Sequence, residues 1–263
     1  MIEDINQRSK ELFEDGFTHI KSLLNGDEIA LLINAIEANM NNPSPFGKNM
    51  ISENGGKFFM DFNNWSRLKP VKDFCFLPKL TDLVVALTKS KKCWLFHDHV
   101  LVKFKHGLPT PTHQDRPYYI FKGDLNLSVW ITPDYVPKNS SLIFYKKTHK
   151  MNKIFMPKSF VDGENMGINS DFEVINDETF EDYEKIVFDM NPGDALVFFN
   201  NTIHGSNSHI SDTPRRALSV RFLLDGATMT KKYFNATPPF DKFGIKIEED
   251  APVPENFFPL LRG

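Results

Sequence analysis

Hydrophobic positions divide the chain into two periodicities. In the first part, Ile29, Leu32, Ile33 and Ile36 recur at i, i+3, i+4, i+7, which is one apolar face of a helix. Asn25-Gly26-Asp27-Glu28 just before them has the form of a capping box, with Asn25 as N-cap and Glu28 reaching back. Gly16 breaks a preceding helix, and Phe17 to Ile20 reads as a short strand. A second helical stretch runs from about Lys79 to Lys89, with Leu80, Leu83, Val84 and Leu87 on one side. Pro43 to Trp65, rich in Asn, Gly and Phe, reads as a structured loop or equally as a simple surface excursion.

From Trp94 onward the period becomes two. Leu125, Leu127, Val129 and Ile131 alternate with Asn126, Ser128, Trp130 and Thr132. Leu218, Val220 and Phe222 alternate with Ala217, Ser219 and Arg221. Leu142 to Tyr145, Lys185 to Asp189 and Ala195 to Phe199 are further short strands, and Pro192-Gly193-Asp194 is a turn. Many short strands with turn signals predict a β-sandwich or barrel, with the helices of the first part covering one sheet.

Composition narrows the function classes. The 263 residues, 41% hydrophobic and 25% charged, suit one large globular domain. A net charge of -3 and a pI near 6.2 disfavour a nucleic-acid partner, which needs a basic face. The same balance disfavours a coenzyme A ester as substrate. Cys75 and Cys93 are too few for a disulfide framework and too far apart for a CxxC site. They predict two buried thiols in a reducing compartment. The charged N-terminus lacks the apolar core of a secretory signal, and no run reaches the length of a membrane span. The expectation is a cytoplasmic protein with no membrane partner; the sequence does not speak to its oligomeric state.

Candidate chemistry lies in three places. In Thr112-His113-Gln114-Asp115, His113 and Asp115 are two apart and point the same way on an extended segment. His204 follows in Asn201-Thr202-Ile203-His204-Gly205-Ser206. Two imidazoles and one carboxylate on one face of a metal leave the opposite face open, as in the facial triad of non-haem iron(II) oxygenases. Arg215 comes eleven residues after His204. A dicarboxylic co-substrate needs such a cation, because arginine grips a carboxylate through two parallel hydrogen bonds. Alternation puts Arg215 with Ala217, Ser219 and Arg221, and Arg216 with Leu218, Val220 and Phe222. The first set would line a pocket inside the fold, which selects Arg215.

The stretches THQDRPYY, NTIHGS and PRRALSVRF resemble the phytanoyl-CoA dioxygenase family of iron(II)/2-oxoglutarate oxygenases. Weaker similarity extends over most of the chain, through Phe59 to Trp65, Leu95 to Lys103, Pro192-Gly193-Asp194 and the Phe-Pro-Leu-Leu near the C-terminus. The resemblance implies a mainly β fold with flanking α-helices and a double-stranded β-helix core (jelly roll, cupin-like). On this view 1–263 is one domain: a helical part at about 1–93, the core at about 94–225 and an extension at about 226–263. His113, Asp115 and His204 would bind Fe(II). Arg215 and Ser206 would hold the distal carboxylate of 2-oxoglutarate, with Gln114 and Trp130 lining its pocket and O2 as the second co-substrate. The chain departs from the family at Asn139-Ser140-Ser141-Leu142 and Lys147-Thr148-His149, and nothing aligns over Lys231 to Phe234.

The implied reaction is hydroxylation of an unactivated C–H of a small molecule, releasing succinate and CO2. Related halogenases carry a small residue where this chain has Asp115, so the intact carboxylate points to hydroxylation. Alternatives are desaturation, epimerisation or ring closure at the same iron, a non-catalytic jelly-roll metal-binding protein, and a zinc hydrolase, which gives Arg215 no role. Further candidates are less defined. His97 and His99 form an HxH pair without an obvious third ligand, and His99 could touch substrate. Lys103 reads as a contact to the co-substrate or to an anionic substrate, or as a solvated strand end. Tyr119 shares the parity of His113 and Asp115 and is expected to face the site, with Tyr118 facing away unless a turn at Pro117 reverses the two. Asn126 lies on the polar side of its strand. Trp65, with Phe58, Phe59 and Phe62, reads as core or as substrate cage. Phe96 is expected on the face of Val100 and Val102, and Asp98 would need a partner if buried.

Overall fold

The computed structural model describes residues 4–166, 171–176, 178–232 and 238–263. Tyr233 and Phe234, at the end of the unaligned segment, lie outside them. In chain order the elements are α1 (Ile5–Asp15), β1 (Phe17–Ile20), α2 (Gly26–Asn41), β2 (Lys48–Ile51), β3 (Lys57–Phe62), α3 (Lys69–Cys75), α4 (Pro78–Thr88) and β4 (Cys93–Lys103). Then follow β5 (Thr110–His113), β6 (Phe121–Lys122), β7 (Leu127–Ile131), β8 (Leu142–Tyr145), β9 (Lys185–Val187), β10 (Ala195–Phe199), β11 (His204–Ser206), β12 (Arg215–Leu224), β13 (Thr228–Met229) and β14 (Leu260–Arg262).

Local chemistry explains the entry segment. Gly16 closes α1 in the left-handed region (φ 96°), and its amide donates to the Leu12 carbonyl. A Cβ there would also collide with His149 and Thr202, so the position needs glycine twice over. Asn25 caps α2 as the sequence predicts: its side chain accepts from the Glu28 amide (2.9 Å), and Glu28 accepts from the Asn25 amide (2.8 Å). The predicted second helix is α4.

Most strands form two facing antiparallel sheets, and β6 and β13 pair separately as a two-stranded ribbon. The larger runs β1-β10-β7-β12-β4-β3-β2, with β14 also on β4; the smaller runs β5-β11-β8-β9. This is the predicted jelly-roll arrangement. Period-two alternation sorts the side chains. Val100 and Val102 of β4, Val129 and Ile131 of β7, and Leu218 and Val220 of β12 face the helices. There they join Leu32 and Ile36 of α2 and Leu80, Leu83, Val84 and Leu87 of α4 in the main core. Full burial of one such side chain stabilises by about 1.5–3 kcal/mol. Phe198 and Trp130 from the opposite face meet Leu142 and Phe144 of the smaller sheet.

Two expectations need correction. Pro43 to Trp65 contains the β2–β3 hairpin, which extends the larger sheet by pairing β3 with β4. Gly55 supplies the positive φ of its tight turn, so sheet structure sits where the Asn- and Gly-rich composition reads as loop. Phe96 does not lie with Val100 and Val102. The β4–β12 register slips between Arg221 and Phe222, and this bulge turns Phe96 toward Tyr119, Phe121, Phe240 and Phe258. Asp98 is buried under the helices and finds the partners it needs, accepting from the backbone amides of Asn64 and Trp65.

Candidate metal and co-substrate site

His113 ends β5 and His204 begins β11, and the two are direct register partners in the smaller sheet. Their rings lie 4.4 Å apart between centroids. Each fixes its Nδ1 on a local carbonyl, Pro111 for His113 (2.7 Å) and Thr202 for His204 (3.0 Å). Both Nε2 atoms are thereby left for another partner. Burial, then the neighbouring His113, pushes the His204 imidazole down to about 3, so it stays neutral and keeps its lone pair.

Asp115 stands two residues beyond the end of β5, in helical backbone at the start of a short 3-10 turn. Strand alternation therefore does not bring it to His113; the turn does, with His113 Nε2 3.7 Å from Asp115 Oδ1. Its other oxygen, Oδ2, accepts from Tyr119 Oη (3.1 Å) and Ser128 Oγ (3.1 Å). Arg221 of β12 donates to Oδ1 at 3.2 Å. Burial raises this carboxyl, but the Arg221 guanidinium, with His113 and His204 behind it, overrides burial and holds it well below the usual carboxylate range. One ligand atom each from His113, Asp115 and His204 falls within 4.8 Å of the others. No other set of three potential ligands converges among the described residues, so the His97/His99 pair gains no third member. All three side chains are buried. Two imidazoles with free Nε2 atoms and an ionised carboxylate at this spacing fit a divalent iron or zinc ion.

A second group of cations lies further along β4 and β12, where Lys103 and Arg215 are register partners. Arg215 is 2% exposed, as alternation predicts, while Arg216 turns to Asp134 and Glu37 on the helix side. The Arg215 guanidinium donates to the Ser140 carbonyl (3.0 Å) and lies over the Trp130 ring (5.5 Å), but its Nε has no partner. Lys103 donates to Ser206 Oγ (2.8 Å) and the Asn207 carbonyl (3.2 Å), with Phe58 beneath it. Burial, then Arg215, depresses the Lys103 ammonium well below its ordinary value; burial alone takes Arg215 down to about 10. Neither has a carboxylate partner among the described residues. Two adjacent buried cations without a counter-ion fit a carboxylate ligand. A narrow cleft lined by Arg215, Trp130 and Ser219 leads from them to His113 and His204.

On the other side of Asp115 lies a cavity of about 450 Å³, walled by Met50, Met60, Phe62, Tyr118 and Phe160. His99 lines both this cavity and the cleft. Three candidates fall elsewhere, and a fourth reaches the site in another role. Gln114 ties down a loop, accepting from the Phe155 amide and donating to the Lys153 and Asn201 carbonyls. Asn126 accepts from the Leu224 amide through Oδ1 and lines neither space. Trp65 packs on Phe76 at the edge of the helical core. Tyr119 reaches the site but grips Asp115; the turn at Pro117 gives the cavity wall to Tyr118 instead. Arg221 and Ser128 are functional candidates the sequence reading missed. Both lie on the polar faces of their strands, and that parity was the available signal.

The profile of the family described as phytanoyl-CoA dioxygenase (PhyH) matches residues 12–217. A probable phytanoyl-CoA dioxygenase of Caenorhabditis elegans is 27% identical over 165 residues, covering 58% of this chain and 50% of the relative. The peroxisomal phytanoyl-CoA dioxygenase of Homo sapiens is 27% identical over 155 residues, covering 57% and 44%. The chain thus spans about half the length of the curated relatives it matches. Among solved structures, the non-heme α-ketoglutarate-dependent epimerase SnoN from nogalamycin biosynthesis superposes with a TM-score of 0.78 at 17% identity, covering 98% of both chains. The carbocyclase SnoK from the same biosynthesis gives 0.76 at 16% identity, over 97% and 95%. The fold is theirs, and with the family profile spanning most of its length the chain belongs to the phytanoyl-CoA dioxygenase family.

Proposed function

We propose that the protein is an Fe(II)- and 2-oxoglutarate-dependent dioxygenase that hydroxylates an unactivated C–H of a small molecule. The observation that carries this reading is a His-Asp-His cluster beside two buried cations that lack counter-ions. His113, Asp115 and His204 hold the iron. Arg215 and Lys103, with Ser206 and Trp130 around them, hold the distal carboxylate of 2-oxoglutarate. Iron with 2-oxoglutarate supplies activation of O2, coupled to release of succinate and CO2. A zinc hydrolase would leave the two cations without work. Asp115 fills the third ligand position, which favours hydroxylation over halide transfer. The reading takes the whole chain as one catalytic domain in a cytoplasmic setting, consistent with two free, buried thiols.

The residues of the chain do the positioning. Tyr119 and Ser128 hold one oxygen of Asp115 and so direct the other toward the imidazoles. Met60, Phe62 and Phe160 exclude water from the side on which the substrate enters. The cleft toward Arg215 is tight, about 30 Å³. Loading therefore requires side-chain movement, and Phe160, edge-on to His113 at 4.9 Å between centroids, is the apolar side chain on the wall shared by both spaces.

The test is anaerobic addition of iron(II) and 2-oxoglutarate to the metal-free protein, following the weak visible charge-transfer absorption of the chelate. The band is expected in the wild type, absent in His204→Ala and weakened in Arg215→Ala. A folded protein that binds iron but gives no band would remove the oxygenase reading.

A further inference from the structure

The cleft and the larger cavity share three wall residues: His99, Phe160 and Arg221. Phe160 is apolar, so the polar character of the junction comes from the other two. His99 is 4% exposed, and neither of its ring nitrogens has a hydrogen-bond partner. Its neighbour of known position is the Phe62 ring, edge-on at 5.8 Å. Arg221 commits one terminal nitrogen to Asp115 Oδ1. The other faces His97 Nε2 at 3.5 Å, and Nε has no partner. A buried polar atom without a partner is costly, and native structures leave few of them. Here several collect on one wall of a cavity beside a metal-binding cluster. A ligand that enters the cavity relieves that cost.

Charge specifies the ligand further. Arg215 and Arg221 are buried around one buried carboxylate, Asp115, and Lys103 adds to the surplus whenever it is protonated. Iron(II) and doubly ionised 2-oxoglutarate carry charges that cancel, so the positive surplus of the chain persists when both are bound. Toward solvent, Lys48, Lys158 and Lys242 border the cavity against Asp241, and none of these lysines is in an ion pair among the described residues. Field lines from the rim and the floor have the same sign.

We propose that His99 and Arg221 form the polar floor of the larger cavity and select a primary substrate that carries an anionic oxygen group next to the carbon that reacts. The apolar body of that substrate lies against Met50, Met60, Phe62 and Phe160. The inference rests on the oxygenase reading for the identity of the reacting carbon, and on the cavity alone for the charge of the ligand.

The experiment uses protein loaded anaerobically with iron(II) and 2-oxoglutarate, and three probes that share one apolar body: 4-phenylbutanoate, 4-phenylbutan-1-ol and 4-phenylbutylamine. Binding is read by calorimetry and by perturbation of the charge-transfer band. The carboxylate is expected to bind at least about tenfold more tightly than the alcohol, with the amine weakest. His99→Met should cut carboxylate affinity about three- to tenfold and leave the alcohol nearly as before. Arg221→Lys should keep the order of the probes, whereas Arg221→Met should abolish it. Because Arg221 touches Asp115, Arg221→Met can lose iron; Lys158→Glu then supplies the charge test, with the carboxylate advantage reduced. Equal binding of alcohol and carboxylate by loaded wild type overturns the proposal while the band stands. Should no band form, the oxygenase reading falls, and calorimetry on the metal-free protein tests the charge preference by itself.

Discussion

Leu218, Val220 and Phe222 point from β12 into the helix-covered face of the larger sheet, while Arg215, Ser219 and Arg221 point from the same strand into the space between the sheets. The two faces obey different rules. On the covered face the core is continuous, and the buried carboxylates between strand and helices are satisfied, Asp98 by backbone amides and Asp61 by Asn39, Ser44 and the Phe62 amide. On the inner face Nε of Arg215, Oγ of Ser219, Nε of Arg221 and both nitrogens of His99 are buried without partners. The covered face keeps a few orphaned atoms at Asn39, Asn64 and Trp65, but its carboxylates and its apolar packing are completed by the protein itself. The inner face is left for a ligand to finish, and the helical core supplies the stability that offsets its cost.

Neighbouring residues of β12 should therefore answer differently to the same truncation. Leu218→Ala leaves a cavity in a fully buried cluster and is expected to cost about 2–5 kcal/mol in urea denaturation. Ser219→Ala removes a buried hydroxyl that has no partner and should change stability by less than about 0.5 kcal/mol. Equal losses at the two positions would break the comparison.

Arg215→Met sharpens it, because stability and binding should move in opposite directions. The substitution removes a buried cation without a counter-ion and is expected to stabilise the metal-free protein by about 1 kcal/mol. The same change should weaken 2-oxoglutarate by about thirtyfold, the equivalent of roughly 2 kcal/mol. Calorimetry for affinity and denaturation for stability read the two effects separately. A destabilised protein with intact 2-oxoglutarate affinity would mean that Arg215 serves the fold.

Lys103 adds a dependence on pH. Its folded-state pKa lies well below the ordinary value of 10.5, through burial and then Arg215. A base with a depressed folded pKa binds fewer protons folded than unfolded, so stability of the metal-free protein rises with pH between the folded value and 10.5. Lys103→Met should flatten that rise. Affinity for 2-oxoglutarate should run the other way in the wild type, falling as pH climbs through the same window and the ammonium loses its proton, and should lose most of this dependence in Lys103→Met. A wild-type affinity flat across the window would exclude a charged Lys103 from the co-substrate site.

Much of this was legible in the sequence where one period governs. Alternation along β12 separates Arg215 from Arg216, and helical spacing with the Asn25 box finds α2 and its start. Legibility ended where geometry departs from period. A bulge sends Phe96 to a different cluster, and a 3-10 turn exchanges the roles of Tyr118 and Tyr119. The turn also brings Asp115 to His113 by a route that strand parity does not describe. Arg221 shares its face with Arg215, but its pairing with Asp115 spans 106 residues and depends on how the two sheets face each other. Tertiary placement of that kind has no local signature. The hairpin over Lys48 to Phe62 was hidden for a related reason: Asn and Gly set its turn, and pairing with β4 makes it sheet.

The smallest expected effect concerns Cys75 and Cys93, which lie in the covered core and test how completely it excludes solvent. Burial raises both thiols, Cys75 well above its ordinary value and Cys93 to about 12. At pH 8 about one Cys93 in 10⁴ would then be thiolate, the form that reacts. Folded protein should take up almost no iodoacetamide over hours, and both sites should label once urea unfolds the chain. Iron and 2-oxoglutarate, bound on the far face of the same sheet, should slow any residual labelling only as far as they lower the unfolded population. Rapid labelling of Cys93 in the folded state would mean that the covered face opens locally, and that the two faces of the sheet are less unequal than their packing implies.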